Sequence, residues 1–386
     1  MRVALVCDWF LPRHGGIELH LRDLALALRG VGVEAEVVTT TPGHADVEDV
    51  RVHRVTTPLL AGAGVAFLPH VRSAIQDIVE RERFDVVHAH ASVVSPAAYA
   101  GVRAGGRAGV PTVLTFHSML HGASLLLGAS EELLGWSKDV VLTAVSSVVA
   151  AQAARWMRHA SVAVLPNAVN HAFWQDTTSE APTAPIHFVS AMRLSRKKRV
   201  LELIDAFSET VRFLAGSPVV RMTIAGDGPQ RDAAARLVQE RGLGDRVTLP
   251  GHLSREALRT LYSTAHAFVM PSERESFGIA ALEARSAGLP VIAMLAGGAR
   301  DFILPGVNGF LAREPGELPR LMARLALDEP LRSFMAHANR VEAPVYDWCI
   351  VAAMHRRIYD AAAALGGGGS AARANHTYPG SESATK

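Results

Sequence analysis

Short apolar runs alternate along this chain with longer stretches whose apolar positions recur at helical spacing. A short apolar run bounded by small or polar residues reads as a buried strand, and the longer period reads as a helix with one apolar stripe. Residues 3–7, 34–39, 86–88, 112–115, 140–145 and 161–165 fit the first pattern. Between them, 19–29, with Leu21, Leu24, Ala25 and Leu28 on one face, and 71–81 fit the second. The pattern breaks at 175–185, where QDTTSEAPTAP is polar with two prolines and neither packs nor propagates a helix, so it reads as a linker. The alternation then restarts, with strands at 186–191, 221–225, 247–249, 267–270 and 291–293 and helices at 201–214, 230–241, 255–263 and 279–287.

Strand and helix in alternation predict an α/β fold with parallel sheets covered by helices. Two such halves, 1–174 and 186–345, create a cleft, and open parallel sheets bind ligands beyond the carboxyl ends of their strands. Function is therefore sought in the strand-to-helix loops. A last segment follows at 346–365, and 366–386 is polar and low in complexity, predicted disordered. Its Asn375-His376-Thr377 sequon reads as a chance match, since no secretory signal accompanies it.

Composition narrows the classes. A chain of 386 residues, 49% apolar and 20% charged, holds two or three domains and is neither disordered nor fibrous. Lys plus Arg number 39 against 37 acids, a net charge of +2, so no overall basic field draws nucleic acid or membrane, and any polyanion site is local. Cys7 and Cys349 are too few for a disulfide framework or zinc cluster, which fits a reducing cytoplasm. The first apolar run stops at Asp8, too short for a signal peptide, and no run of about 18 apolar residues predicts a membrane-spanning helix. Peripheral attachment at the inner membrane face stays open.

The densest chemistry lies at 271–290, between two apolar strands. Ser276 and Gly278 form a turn and Ile279 opens a helix, whose unpaired amides and positive dipole end suit a phosphate or sugar oxygen. Glu275 in the loop and Glu283 one turn into the helix would accept from hydroxyls at two ends of one ligand, or be a cap acid and a solvated glutamate. Five cations (Arg193, Arg196, Lys197, Lys198 and Arg199) follow the first strand of the second half. They read as a solvated face, a nucleic-acid patch or a site that neutralises a leaving diphosphate. Gly15 and Gly16 precede the first helix, where paired glycines allow close backbone approach. No G-x-G-x-x-G fingerprint follows a predicted strand, against a dinucleotide dehydrogenase. His88 and His90 share a strand face at a metal-ligand spacing but lack an accompanying carboxylate or thiol pair, so no metal site is expected. His117 ends a strand facing the cleft.

These residues resemble the family 4 retaining glycosyltransferases, which have the two-domain GT-B fold. Glu275 and Glu283 match the family's E-x7-E segment, Arg193, Leu194 and Lys198 its G-R-L-x-x-x-K-G motif, and Gly15 and Gly16 its glycine loop. Pro166 to Asn170 resembles P-N-G-V-D, Gly226 to Pro229 a G-x-G-P turn, Gly297 to Asp301 a G-G-x-x-E turn, and Tyr346-Asp347-Trp348 the start of a helix crossing back to the first domain. The resemblance implies that Arg193 and Lys198 stabilise the departing diphosphate and that Glu275 and His117 contact the donor sugar. It further implies that Glu283 holds the ribose, that Phe277, Gly278 and Ile279 offer amides, and that Leu249 and Gly251 hold the base. Departures are Ser276 for glycine, tolerable at a negative backbone φ, Ala191 and Arg199 in the cationic loop, and Asp301 for glutamate.

The expected function is transfer of a hexose from a nucleotide-sugar to a hydroxyl of a glycan or lipid-linked acceptor, without metal or other cofactor. GDP-mannose is preferred over UDP-linked sugars. A sugar-nucleotide-binding protein without turnover and a nucleic-acid binder using 193–199 are the alternatives. The acceptor is expected on the first half, where the apolar segments 58–69 and 119–136 are either core or a membrane-facing lip.

Overall fold

The computed structural model describes residues 1–13, 15–55, 69–92, 94–120, 139–156, 161–175, 185–342 and 345–366. Most of the expected linker (176–184), most of the two apolar segments (58–68 and 121–136) and the tail from 367 lie outside the described residues. Met119 and Leu120, at the edge of the second segment, are buried in the core.

The first half builds a sheet of eight strands: β1 Arg2–Cys7, β2 Glu34–Thr39, β3 Asp46–Val47, β4 Val50–Arg54, β5 Val86–Ala91, β6 Thr112–Phe116, β7 Val140–Ala144 and β8 Val162–Val164. Their order is β3-β4-β2-β1-β5-β6-β7-β8, parallel except that β3 runs antiparallel to β4. The second half builds six strands: β9 Ile186–Ala191, β10 Val220–Ala225, β11 Val247–Gly251, β12 Ala267–Met270, β13 Val291–Met294 and β14 Gly309–Ala312, ordered β11-β10-β9-β12-β13-β14. All pairings in this sheet are parallel. Both halves are Rossmann-like α/β domains. Strand order reverses at β1 in one sheet and at β9 in the other, and such reversals open the crevice where ligands bind.

The apolar runs form these strands because both sheet faces are covered. In β1 every residue from Val3 to Cys7 is buried, as doubly covered parallel strands require. Helix Pro96–Ala108 escapes the periodicity reading because the buried face of its sequence, PAAYAGVRAGGRA, is alanine and glycine with a single valine. Smallness is what packs it: a Cβ on Gly101 would stand 2.9 Å from Val6, so glycine lets this helix lie directly on β1. The edge pair β3 and β4 also escapes it, being short, with only Val50 and Val52 buried.

The C-terminal helix Trp348–Gly366 packs on the first domain. Its Ala352, Tyr359 and Ala362 join Leu21, Leu24 and Leu28 of helix Gly16–Leu28 in one apolar cluster. Asp347 fastens the crossing, accepting from the His171 amide (3.0 Å) and pairing with Val169 in a β-bridge. Another apolar cluster runs from Phe116 and Val149 of the first domain to Phe277 and Ala281 of the second.

Candidate active site

Both strands at the second sheet's reversal feed the cleft. From β9 the chain enters the cationic loop, and from β12 it enters the loop ending at helix Ile279–Ser286. The cationic loop is shaped by glycines on neighbouring turns. Gly226 (φ 134°) and Gly228 (φ 154°) hold a left-handed backbone that L side chains rarely adopt, and a Cβ on either would collide with the carbonyls of Met192 or Leu194. That contact fixes the backbone around Arg193, which is exposed. Lys198 ends a short 3-10 turn and is ion-paired with Glu275, so two residues 77 positions apart meet in one site. Arg199, where the resemblance calls for glycine, takes φ 61° and is held by ion pairs to Glu273 and Glu202. A left-handed backbone costs a non-glycine residue roughly 1–2 kcal/mol, so these pairs offset local strain.

The second loop is tied down on both sides. Phe277 is buried against the rings of Phe302 (5.4 Å) and Tyr346 (5.8 Å), and Gly278 caps the helix at φ 98°. Ser276 is absent from the positive-φ residues, so serine is accommodated there. Gly298 donates its amide to the Glu275 carbonyl (2.8 Å), and a Cβ on it would collide with the Ser276 carbonyl oxygen. Glu283, on the same helix, is buried. Desolvation raises its carboxyl to about 7; nearby Arg255 opposes the rise and Asp23 adds to it. Gly251 (φ 84°) accepts from the Gly226 amide at 2.7 Å, while Leu249 is half-buried on the same strand.

From the opposite side comes the glycine loop. Gly16 opens helix Gly16–Leu28, and its Cβ position lies 3.9 Å from Ile279 Cδ1, so the two helix starts face each other across the cleft. Neither Gly15 nor Gly16 has a positive φ; glycine at 15 instead makes room for the Glu18 carboxylate. His117 follows β6, and its ring is buried against His90 (Nδ1 to Nε2, 2.9 Å). Burial lowers its imidazole to about 3.

Three contacts between the domains carry no sequence signal. Arg255 donates to Asp23 at 2.6 Å, beside Glu283. Ser146 donates to the Ser276 carbonyl at 2.5 Å. Asp301 accepts from the Ser147 amide at 2.6 Å, binding the first amide of helix Ser147–Ala154, whose N-cap is Ser146, from the other domain. In the sequence Asp301 is visible only as part of a motif, and its partner is not visible at all.

For metal, Glu36, His53 and Glu82 are the one group of three ligand-type side chains that lie together among the described residues. Arg2 (2.5 Å) and Arg51 (3.7 Å) already pair with Glu36 and bring the positive charge a cation would supply. Both ring nitrogens of His88 are occupied, by Tyr359 and Thr115.

The glycosyl transferases group 1 model matches residues 175–341 and the glycosyltransferase family 4 model matches 14–173. The chain belongs to the family 4 glycosyltransferases. It is similar to the phosphatidylinositol N-acetylglucosaminyltransferase gpi3 subunit of Schizosaccharomyces pombe, 26% identical over 92% of this chain and 80% of the relative. It is also similar to D-inositol 3-phosphate glycosyltransferase of Arthrobacter sp., 28% identical over 90% of each. Anabaena HepE in complex with UDP superposes with a TM-score of 0.74 at 21% identity, covering 94% of this chain and all of the other. Its fold, like that of these neighbours, is GT-B. Among the described residues of this glycosyltransferase, no helix is long and apolar enough to cross a membrane.

Proposed function

We propose that the enzyme transfers a hexosyl residue from a nucleotide-sugar to a hydroxyl of a glycan or lipid-linked acceptor with retention of anomeric configuration. The observation that carries this reading is the meeting of Lys198, Glu275 and the Gly278–Ile279 helix start opposite Gly16, which gathers a cation, a hydroxyl acceptor and free amides at one cleft. Arg193 and Lys198 supply charge for a departing diphosphate. Glu275 and His117 contact the donor sugar, Glu283 the ribose, and Leu249 and Gly251 the base.

Neither glutamate acts as a glycosidase-type nucleophile in this scheme. The bond from the anomeric carbon to the diphosphate breaks while the acceptor oxygen bonds the same face. The acceptor proton passes to the departing diphosphate oxygen. No metal is required by this route.

For the acceptor, two relatives named for inositol-bearing substrates favour an inositol lipid or inositol phosphate. For the donor, the first of them is named for N-acetylglucosamine, which moves UDP-N-acetylglucosamine ahead of the GDP-mannose preferred from sequence. A panel of GDP-mannose, UDP-glucose, UDP-N-acetylglucosamine and ADP-glucose, with and without phosphatidylinositol vesicles, tests the proposal by thermal shift and nucleotide release. One donor is expected to raise Tm and be turned over. No shift and no release with any donor defeats the reading. Co-sedimentation with the vesicles measures the membrane contact separately.

A further inference from the structure

A cluster of histidines that surrounds His117 lies at the carboxyl end of the first sheet. His88 and His90 come from β5, His117 follows β6, His20 lies on helix Gly16–Leu28 and His355 on helix Trp348–Gly366. Ring centroids are 4.0 Å apart for His88 and His90, 5.1 Å for His90 and His117, and 5.8 Å for His20 and His117.

Hydrogen bonds decide where the protons sit. His90 Nδ1 meets His117 Nε2 at 2.9 Å, and His90 Nε2 is buried with no partner among the described residues. Two neutral rings sharing one bond leave two assignments. If His117 donated from Nε2, His90 would carry its proton on Nε2, as a buried N–H without an acceptor. If His90 donates from Nδ1, the orphan at Nε2 is only a lone pair. Orphaned buried N–H groups are rarer in folded proteins than unfilled acceptors, which selects the second assignment. Both rings are neutral near pH 7, because burial holds their imidazoles far below the usual range.

We infer that His90 is a positioning residue: by donating Nδ1–H to His117 Nε2 it holds His117 in the Nδ1–H tautomer, so that His117 meets its ligand as a hydrogen-bond donor. Among the described residues the His117 ring makes one hydrogen bond, at Nε2, and its Nδ1, unlike His90 Nε2, is not a fully buried orphan. A donor at that point selects an oxygen with free lone pairs, such as a sugar hydroxyl or a phosphate oxygen, and rejects an N–H or ammonium group. The inference rests on the reading that His117 contacts the donor, but the tautomer is measurable without any donor.

Nitrogen-15 NMR of the imidazoles in the ligand-free full chain, with His117 assigned by His117→Asn, is the test. The expected spectrum shows a protonated Nδ1 and a bare Nε2 on His117, with the two tautomers mixing in His90→Ala. In turnover, His90→Ala is expected to lower kcat/KM about ten- to a hundredfold, the scale of losing a partner that orients a working histidine. His90→Asn, whose amide nitrogen can stand where Nδ1 stood, is expected to restore most of it. A proton on Nε2 of wild-type His117, or the same tautomer in wild type and His90→Ala, overturns the inference. If His90→Ala fails to fold, the wild-type spectrum still decides. The expected tautomer together with full turnover by His117→Ala would instead remove His117 from donor contact and leave its relation to His90 standing.

Discussion

Asp301 of the second domain accepts a hydrogen bond from the backbone amide of Ser147 in the first, at 2.6 Å, and thereby holds the first turn of a helix it does not belong to. The same turn stacks Gly298 on Glu275, and Ser146 holds the Ser276 carbonyl, so the loop from Glu275 to Gly278 and the domain contact are one unit. Asp301→Ala should cost about 2 kcal/mol, the scale of losing hydrogen bonds to a charged group, and loosen domain closure, while the helix keeps its own N-cap, Ser146. Small-angle scattering should show a larger radius of gyration and kinetics a lower kcat/KM, with Asp301→Glu close to wild type. An unchanged radius and unchanged kinetics would contradict the clasp.

Glu283 is a buried carboxyl on the helix that starts at the cleft. Burial raises its carboxyl to about 7, while hydroxyl donors from a ribose favour the ionised form. Donor binding should therefore release a proton near neutrality, and affinity should rise as pH goes from about 6 to about 8. Calorimetry with the donor in buffers of different ionisation enthalpy measures that proton, and Glu283→Gln should abolish both effects. A pH-independent wild-type affinity would show that Glu283 does not meet the ribose as a carboxylate.

Acid should destabilise the fold through the histidine cluster. Burial takes His117 to about 3 and His355 to about 4, and holds His20, His88 and His90 well below the usual range. Unfolded imidazoles titrate near ~6.5, so below that pH the unfolded chain binds protons that the folded chain refuses. This stability is full above about pH 6.5 and is lost as pH falls toward about 4. Glu283 and Asp8, whose buried carboxyls are raised to about 7 and about 6, act in the opposite sense, losing stability as pH rises through those values, but they are two groups against five histidines. Tm should drop between about pH 7.5 and about pH 5.5, the interval that brackets the unfolded imidazole; a rise in Tm there would refute the assignment.

Much of this site was legible because its chemistry is local. The cationic loop and the Glu275–Glu283 segment each leave one strand and run a few residues, so spacing alone exposes them. Helix Arg255–Ser263 and strands β9 and β12 match the pattern reading residue for residue. What escaped depends on residues far apart in the chain. Asp23 and Arg255 are 232 positions apart, and His90 and His117 meet only because β5 and β6 pair in register. Helix Pro96–Ala108 escaped because the face it lays on β1 is built from alanine and glycine, whose stripe shows weakly beside one of leucines.

In the proposed reaction Lys198, paired with Glu275 in the free enzyme, turns to the departing diphosphate during transfer. Its most direct test is single-turnover release of nucleoside diphosphate from the saturating donor by wild type and Lys198→Ala, with folding of both checked by Tm. The prediction is a loss of roughly two to three orders of magnitude in the rate, that of removing one electrostatic stabiliser from a transition state. Equal rates for the two proteins would contradict it.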